Sequence, residues 1–116
     1  MDGAVEVAGL RVIAKELKGA DANELRKMTD IIKADNADAV AVFAGVNGEK
    51  LTFCAACGKD AIAKGVHAGN LVREIAKLTG GNGGGKPDSA MAGGKDVSKL
   101  AEALASVVSL VEGQIK

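Results

Sequence analysis

Near the N-terminus apolar residues alternate with polar ones. Val5 and Val7 form one run and Leu10, Val12 and Ala14 a second, with Gly9 between them. A period of two belongs to a strand with one buried face, and the glycine predicts a bulge or turn joining two strands. Gly19 closes this segment, and the period then changes. Leu25, Met28, Ile31 and Ile32 recur at helical spacing through about Ala34. Asp21 stands before them as a helix N-cap, with Glu24 at the capping-box position three residues on, and Asn36 supplies the stop. From Ala39 to Val46 alternation returns, with Val40 and Val42 on one face and Ala41 and Phe43 on the other. Asn47-Gly48 is a strong hairpin signal, and Leu51, Phe53 and Ala55 continue as the partner strand.

Lys59 to Lys64 reads as a short helical turn or a loop. In HAGNLVREIAKLT the residues Leu71, Val72, Ile75 and Leu78 fall on one helical face, and Gly80 is placed to terminate that helix. The segment GGNGGGKPDSAMAGGKD, residues 80–96, cannot be a helix, and over most of its length its side chains are too small for a conventional strand. It is expected to be a Gly-rich loop. Leu100, Leu104, Val107, Val108 and Val111 mark a last helix, begun by Asp96 or Ser98. Strands alternating with helices around a central hairpin predict an α/β fold: a mixed β-sheet with helices packed against it.

Composition sharpens this picture in three places. The 116 residues suit one domain, 1–116, with no internal repeat. Phe43 and Phe53 are the only aromatic residues, so the core has to be built from Val, Ile, Leu and Ala. Net charge is zero, but its distribution is uneven: residues 1–49 carry −3, residues 50–99 carry +4, and the basic half is also the glycine-rich half. A secretory signal and an apolar run of membrane-spanning length are both missing from these residues, so the expectation is a soluble cytoplasmic protein without a membrane partner.

The glycine segment is the main place to look for chemistry. Clustered glycines let backbone N–H groups converge on an anion and let a ligand approach without side-chain obstruction. Gly80 to Lys86 fits GxxxxGK, but Pro87 stands where a phosphate loop needs a hydroxyl for magnesium, and the segment follows a helix instead of a buried strand. GxGxxG spacing does not occur either, so both nucleotide fingerprints are rejected. Two readings stay open from the residues alone: a flexible linker or structural turn, or an anion- or RNA-facing loop.

Other candidates are weaker. Cys54-Ala-Ala-Cys57 has CxxC spacing but no second pair to complete a zinc site, and Cys54 falls inside a predicted strand, so both are read as buried small hydrophobes. His67, the one histidine, has no nucleophile or carboxylate placed to make a triad; it is either a phosphate contact or surface filler. Arg73 and Lys77, with Lys64 upstream, form a solvated face or, together with Lys86 and Lys95, a basic rim around the glycines. With two aromatics in the chain, RNA would be read by backbone and shape and not by base stacking.

The string GGNGGGKPDSAMAGGKD resembles the signature of the DHH-associated domain, in the version found at the C-terminus of alanyl-tRNA synthetases. The preceding HAGNLVREIAKLTGG and the following Ser98-Lys99-Leu100 are similar to the same family, as is the order of elements upstream. This sequence departs from the pattern at Asn82, which interrupts the glycine run, and at Lys86, where Arg or His is common before the proline. The resemblance implies an RNA-docking module without catalytic residues of its own. Its expected partners are tRNA(Ala), engaged at the elbow, and the other domains of the synthetase, with a weak homodimer as a further possibility. It implies no cofactor in this domain, with ATP, Mg and Zn used elsewhere in the parent enzyme. The RNA-facing residues expected are Lys86, Lys95, Gly83, Gly84, Gly85, Arg73, Lys77, Lys64 and His67. Alternatives are a substrate-binding subdomain of a DHH-type phosphoesterase and a dimerisation module.

Overall fold

A computed structural model describes residues 5–48 and 50–115. β1 (Val5–Val7) and β2 (Leu10–Lys18) form the first antiparallel pair, as the alternation predicts. The turn between them is Ala8-Gly9, both with positive φ (51° and 84°), the conformation a primed two-residue hairpin turn requires. Glycine adopts it freely, whereas alanine does so under strain.

Helix α1 (Ala22–Asp35) starts at Asp21, whose carboxylate accepts the Glu24 N–H at 2.9 Å, and ends at Asn36. It crosses over the sheet to β3 (Ala39–Asn47), which lies parallel to β2, the arrangement that needs such a crossover. β4 (Lys50–Cys57) returns antiparallel to β3. Asn47 pairs with Lys50, Gly48 takes φ +62°, and the other turn residue, Glu49, lies outside the described residues. At the start of the crossover strands Arg11 grips Asp38 through Nε (3.0 Å) and Nη2 (2.8 Å), and Nη2 also donates to Asn36 Oδ1. That guanidinium, mainly through its hydrogen bonds, holds the Asp38 carboxyl below its ordinary value.

Helix α2 (Lys59–Ala63) is one short turn, and α3 (Ala68–Leu78) follows. α3 ends as predicted, with Gly80 at φ +76° and its N–H donating to Lys77 O. Residues 80–96 correct the sequence-based expectation of a loop. They form a hairpin, β5 (Asn82–Gly85) and β6 (Ser89–Gly94), with β6 paired to β4 and β5 at the sheet edge. Strand pairing is made by backbone, so a run without side chains can join a sheet when a paired neighbour supplies the partners. The six strands run in the order β1-β2-β3-β4-β6-β5, a mixed sheet.

Successive strand residues point to opposite faces, and each face has its own core. Val12, Val40, Val42, Ala44, Phe53, Ala55, Ala90 and Ala92 face α3 and the C-terminal helices; Ile13, Ala41, Phe43 and Cys54 face α1. The expected apolar stripe of α1 is only partly used. Leu25 and Thr29 are buried, but Met28 is 39% and Ile31 61% exposed. Four-residue spacing from Leu25 selects Thr29, whose Oγ1 shares a hydrogen bond with Cys54 Sγ at 3.3 Å. On α3 the buried stripe is Ala68, Leu71, Val72, Ile75 and Ala76, and Leu78 is turned away and 42% exposed.

The last helix is also not one helix. Asp96 caps a 3-10 turn, Val97–Lys99, followed by α4 (Leu100–Ala105) and α5 (Val107–Gln114). They break at Ser106, whose hydroxyl donates back to Ala103 O at 2.7 Å and competes with the helix ladder. Among the described residues no helix is long and apolar enough to cross a membrane.

Candidate nucleic-acid interface

The tip of the β5–β6 hairpin is held by backbone bonds on three sides. Lys86 N–H donates to Ser89 O (3.1 Å) and closes the turn. Ala68 and Gly69, the first residues of α3, donate to Pro87 O (2.9 Å) and Lys86 O (3.2 Å). Cys57 N–H, at the end of β4, donates to Asp88 O at 3.0 Å. The third N–H of α3, that of Asn70, is taken by His67 Nδ1 at 3.1 Å. The N-terminus of α3 therefore has its donors committed within the fold and does not serve as an anion receptor. The result is a rigid turn from which Lys86 stands exposed.

Glycine is what allows α3 to come this close. A Cβ on Gly69 would lie 2.4 Å from Gly85 O, so helix backbone rests directly on strand backbone. On the opposite face of the hairpin a hollow of about 550 Å³ lies between the hairpin and α1. Arg26, Asp30 and Lys33 form its wall, Gly84 and Met91 its floor, and Lys86 with Asp88 its end. Lys33 Nζ sits 3.4 Å from Asp88 Oδ2 and 3.9 Å from Asp30 Oδ1. Two further hollows adjoin it. One shares Met91 and reaches Lys50 across Gly93; the other shares Lys33 and Asp88 and reaches Lys59.

The predicted RNA-facing residues are not gathered into one rim. Lys86 and Gly83 to Gly85 stand together on the hairpin. Lys95 follows the other end of β6, roughly 17 Å away along five strand rises, beside a hollow lined by Gly80 and Gly81 that borders the one reaching Lys50 at Asn82, Gly93 and Gly94. Arg73 and Lys77 are on the outer surface of α3, bonded to Asn70 Oδ1 and, at 3.5 Å, to Glu74 Oε1. Lys64 Nζ donates to Ala8 O and supports the strained turn at the β1 end of the sheet. His67 caps α3 and is tied through its N–H to Gln114 Oε1 at 3.0 Å, which docks α5.

Sequence reasoning did not single out Arg26, Lys33, Lys50 and Lys59, which the structure places around these hollows. A signal was there: Arg26, Asp30 and Lys33 are spaced i, i+4, i+7, one charged stripe along α1. Summing charge over residues 1–49 concealed it, because that stretch is acidic overall. The cysteines behave as the sequence suggests. Cys54 faces the α1 core and Cys57 the other, so the CxxC pair is split by the sheet. Burial raises both thiols, Cys57 to about 12, with the Asp88 carboxylate adding to that rise and Lys33 opposing it.

Residues 9–113 match the family model of the DHHA1 domain. The chain is 44% identical over 115 residues, 99% of its length, to the alanine–tRNA ligase of Alkaliphilus oremlandii. It is 49% identical over 111 residues, 96% of its length, to that of Shouchella clausii. It spans about 13% of the length of each of these relatives. The crystal structure of the C-Ala domain from Aquifex aeolicus alanyl-tRNA synthetase superposes with a TM-score of 0.87 at 27% identity, covering 95% of this chain and 98% of that one. A mixed sheet closed by a glycine hairpin under α3, with matches over nearly the whole chain, leads to one conclusion: the chain belongs to the DHHA1 domain family and is homologous to the C-terminal domain of alanyl-tRNA synthetases.

Proposed function

We propose that the chain is a tRNA-docking domain that holds the elbow of tRNA(Ala) for an alanine–tRNA ligase, supporting aminoacylation and editing by other domains of that enzyme. The observation that carries this reading is the rigid hairpin tip, which presents the exposed ammonium of Lys86 beside a glycine surface, in a chain homologous to synthetase C-terminal domains. The domain works by contact, in the cytoplasm. A weak contact is enough, because tethering to the enzyme raises its effective concentration to the millimolar range for short flexible linkers. The reaction chemistry and any ATP, Mg or Zn belong to the parent enzyme.

The test is titration of the 116-residue chain with a folded tRNA(Ala) transcript and with a transcript whose elbow contacts are disrupted. Binding is expected for the first and weakened binding for the second. Lys86→Ala should cost roughly 1–3 kcal/mol of binding through loss of a charge-assisted phosphate contact, with an unchanged thermal melt, and Lys86→Arg should retain binding. Equal affinity for both transcripts would sink the elbow reading, and wild-type affinity in Lys86→Ala would remove the hairpin tip from the interface.

A further inference from the structure

We propose that the trough between α1 and the β5–β6 hairpin is a track for the phosphodiester backbone of one RNA strand, with Arg26, Lys33, Lys50 and Lys59 as its phosphate-binding side chains beside Lys86. The proposal rests on the RNA-docking reading and adds a route across the domain to the single contact at the hairpin tip.

Shape is the first argument. The three hollows lie next to one another, one pair meeting at Met91 and the other at Lys33 and Asp88, and this row makes up the trough. It runs beside β4 from Lys50 to beyond Cys57, eight residues or roughly 23 Å. That is too long for one small anion and is long enough to follow several nucleotides of a strand. The floor is the second argument. Gly84 and Gly93 place no side chain in it, and a Cβ at either would find no neighbouring atom closer than 3.8 Å. Of the β6 side chains along it, Met91 is the only long one, set among Ser89, Ala90 and Ala92.

Charge is the third. Arg26, Lys50, Lys59 and Lys86 make no ion pair with any described residue, and all four are exposed. Lys33 alone is held, by Asp88 and Asp30. Both phenylalanines are buried, so neither offers a stacking platform for bases, and the exposed cations of the track address phosphates, whose contacts carry no sequence information. A phosphate entering the centre of the trough competes with Asp88 for Lys33. Asp88 thus weakens binding while its backbone carbonyl fixes the hairpin turn.

The experiment is fluorescence anisotropy of a labelled tRNA transcript with the 116-residue chain between 50 and 200 mM salt. Arg26→Ala/Lys50→Ala should weaken binding about tenfold or more at low salt and flatten the slope of log K against log salt by roughly 1.4, at about 0.7 per phosphate of a single strand. Lys15→Ala/Lys18→Ala, the same charge loss on exposed residues of β2, should stay within about twofold of wild type. Arg26→Lys/Lys50→Arg should restore binding, and Asp88→Asn should tighten it about threefold or more. A trough variant that behaves like the β2 control overturns the track, as does a polyglutamate peptide that binds as tightly as the RNA. Loss of binding in Lys86→Ala with full binding in Arg26→Ala/Lys50→Ala leaves the docking reading standing and removes the track. A wild-type chain that binds no tRNA at any salt removes both.

Discussion

Replacing Gly69 by alanine sets two effects of known sign against each other. Gly69 is in the first turn of α3, and alanine there gains up to about 1 kcal/mol of helix propensity over glycine. The new Cβ, however, would stand 2.4 Å from Gly85 O, where ordinary contact begins near 3.4 Å, so helix and strand must part by about 1 Å. Overpacking of this kind costs about 1–3 kcal/mol. The separation also stretches the bonds from Ala68 and Gly69 to Pro87 O and Lys86 O, each worth about 1 kcal/mol. Packing wins, with a net loss of about 1–3 kcal/mol, or a melting temperature lower by roughly 4–12 °C for a chain of this size. Gly113 is the matched control. It lies in α5, where an added methyl would meet nothing within 4 Å beyond its own chain neighbours and helix backbone, and its φ is not in the left-handed region. Gly113→Ala should therefore raise the melting temperature by about 2–4 °C. Thermal melts followed by circular dichroism read both variants. If Gly69→Ala is stabilised as Gly113→Ala is, the close approach of α3 to the hairpin is wrong, and with it the account of what fixes Lys86.

Three further outcomes follow from the same geometry. His67→Ala removes the cap of α3 and should cost about 0.5–2 kcal/mol in denaturant melts, with His67→Asn recovering most of it; a neutral His67→Ala would show that the cap carries no stability. The buried Cys57 thiol, raised to about 12, stays protonated in the folded chain while the unfolded thiol ionises near its ordinary 8.5. Its contribution is complete below that value and is lost as pH rises toward 12, by ~2 kcal/mol at pH 10, so Cys57→Ala should flatten the alkaline limb of stability against pH. Asp38 has the opposite sign: its lowered carboxyl stabilises the fold above its unfolded value near 3.9 and ceases to as pH falls through the folded one. Asp38→Asn should make the acid limb shallower, and an unchanged limb would show that the Arg11 pair does not couple to folding.

Much of the fold is legible in the sequence because it is decided locally. The β3–β4 hairpin, the cap at Asp21 and the stop at Gly80 depend on a two-residue period, one side-chain bond and one positive φ, each set by neighbouring residues. The motif at 80–96 points to the family for the same reason: its information is contiguous. What it cannot disclose is that it forms two strands, since glycine carries no side-chain period and β6 is held to the sheet by β4, some forty residues earlier, with β5 added on β6. The exposure of Met28, Ile31 and Leu78 was likewise hidden, because helical spacing says which residues share a face but not how wide a face the sheet will cover. The cations show the gap most plainly. Lys64, Arg73, Lys86 and Lys95 are close in sequence yet dispersed over the β1 turn, the outside of α3 and the two ends of the hairpin. Arg26 and Lys33 are far from the hairpin in sequence and line the same trough, because the crossover from β2 to β3 lays α1 over the sheet beside it. Charge in a sequence is counted along the chain, while the field a ligand meets is summed through space, and only the tertiary structure supplies those distances.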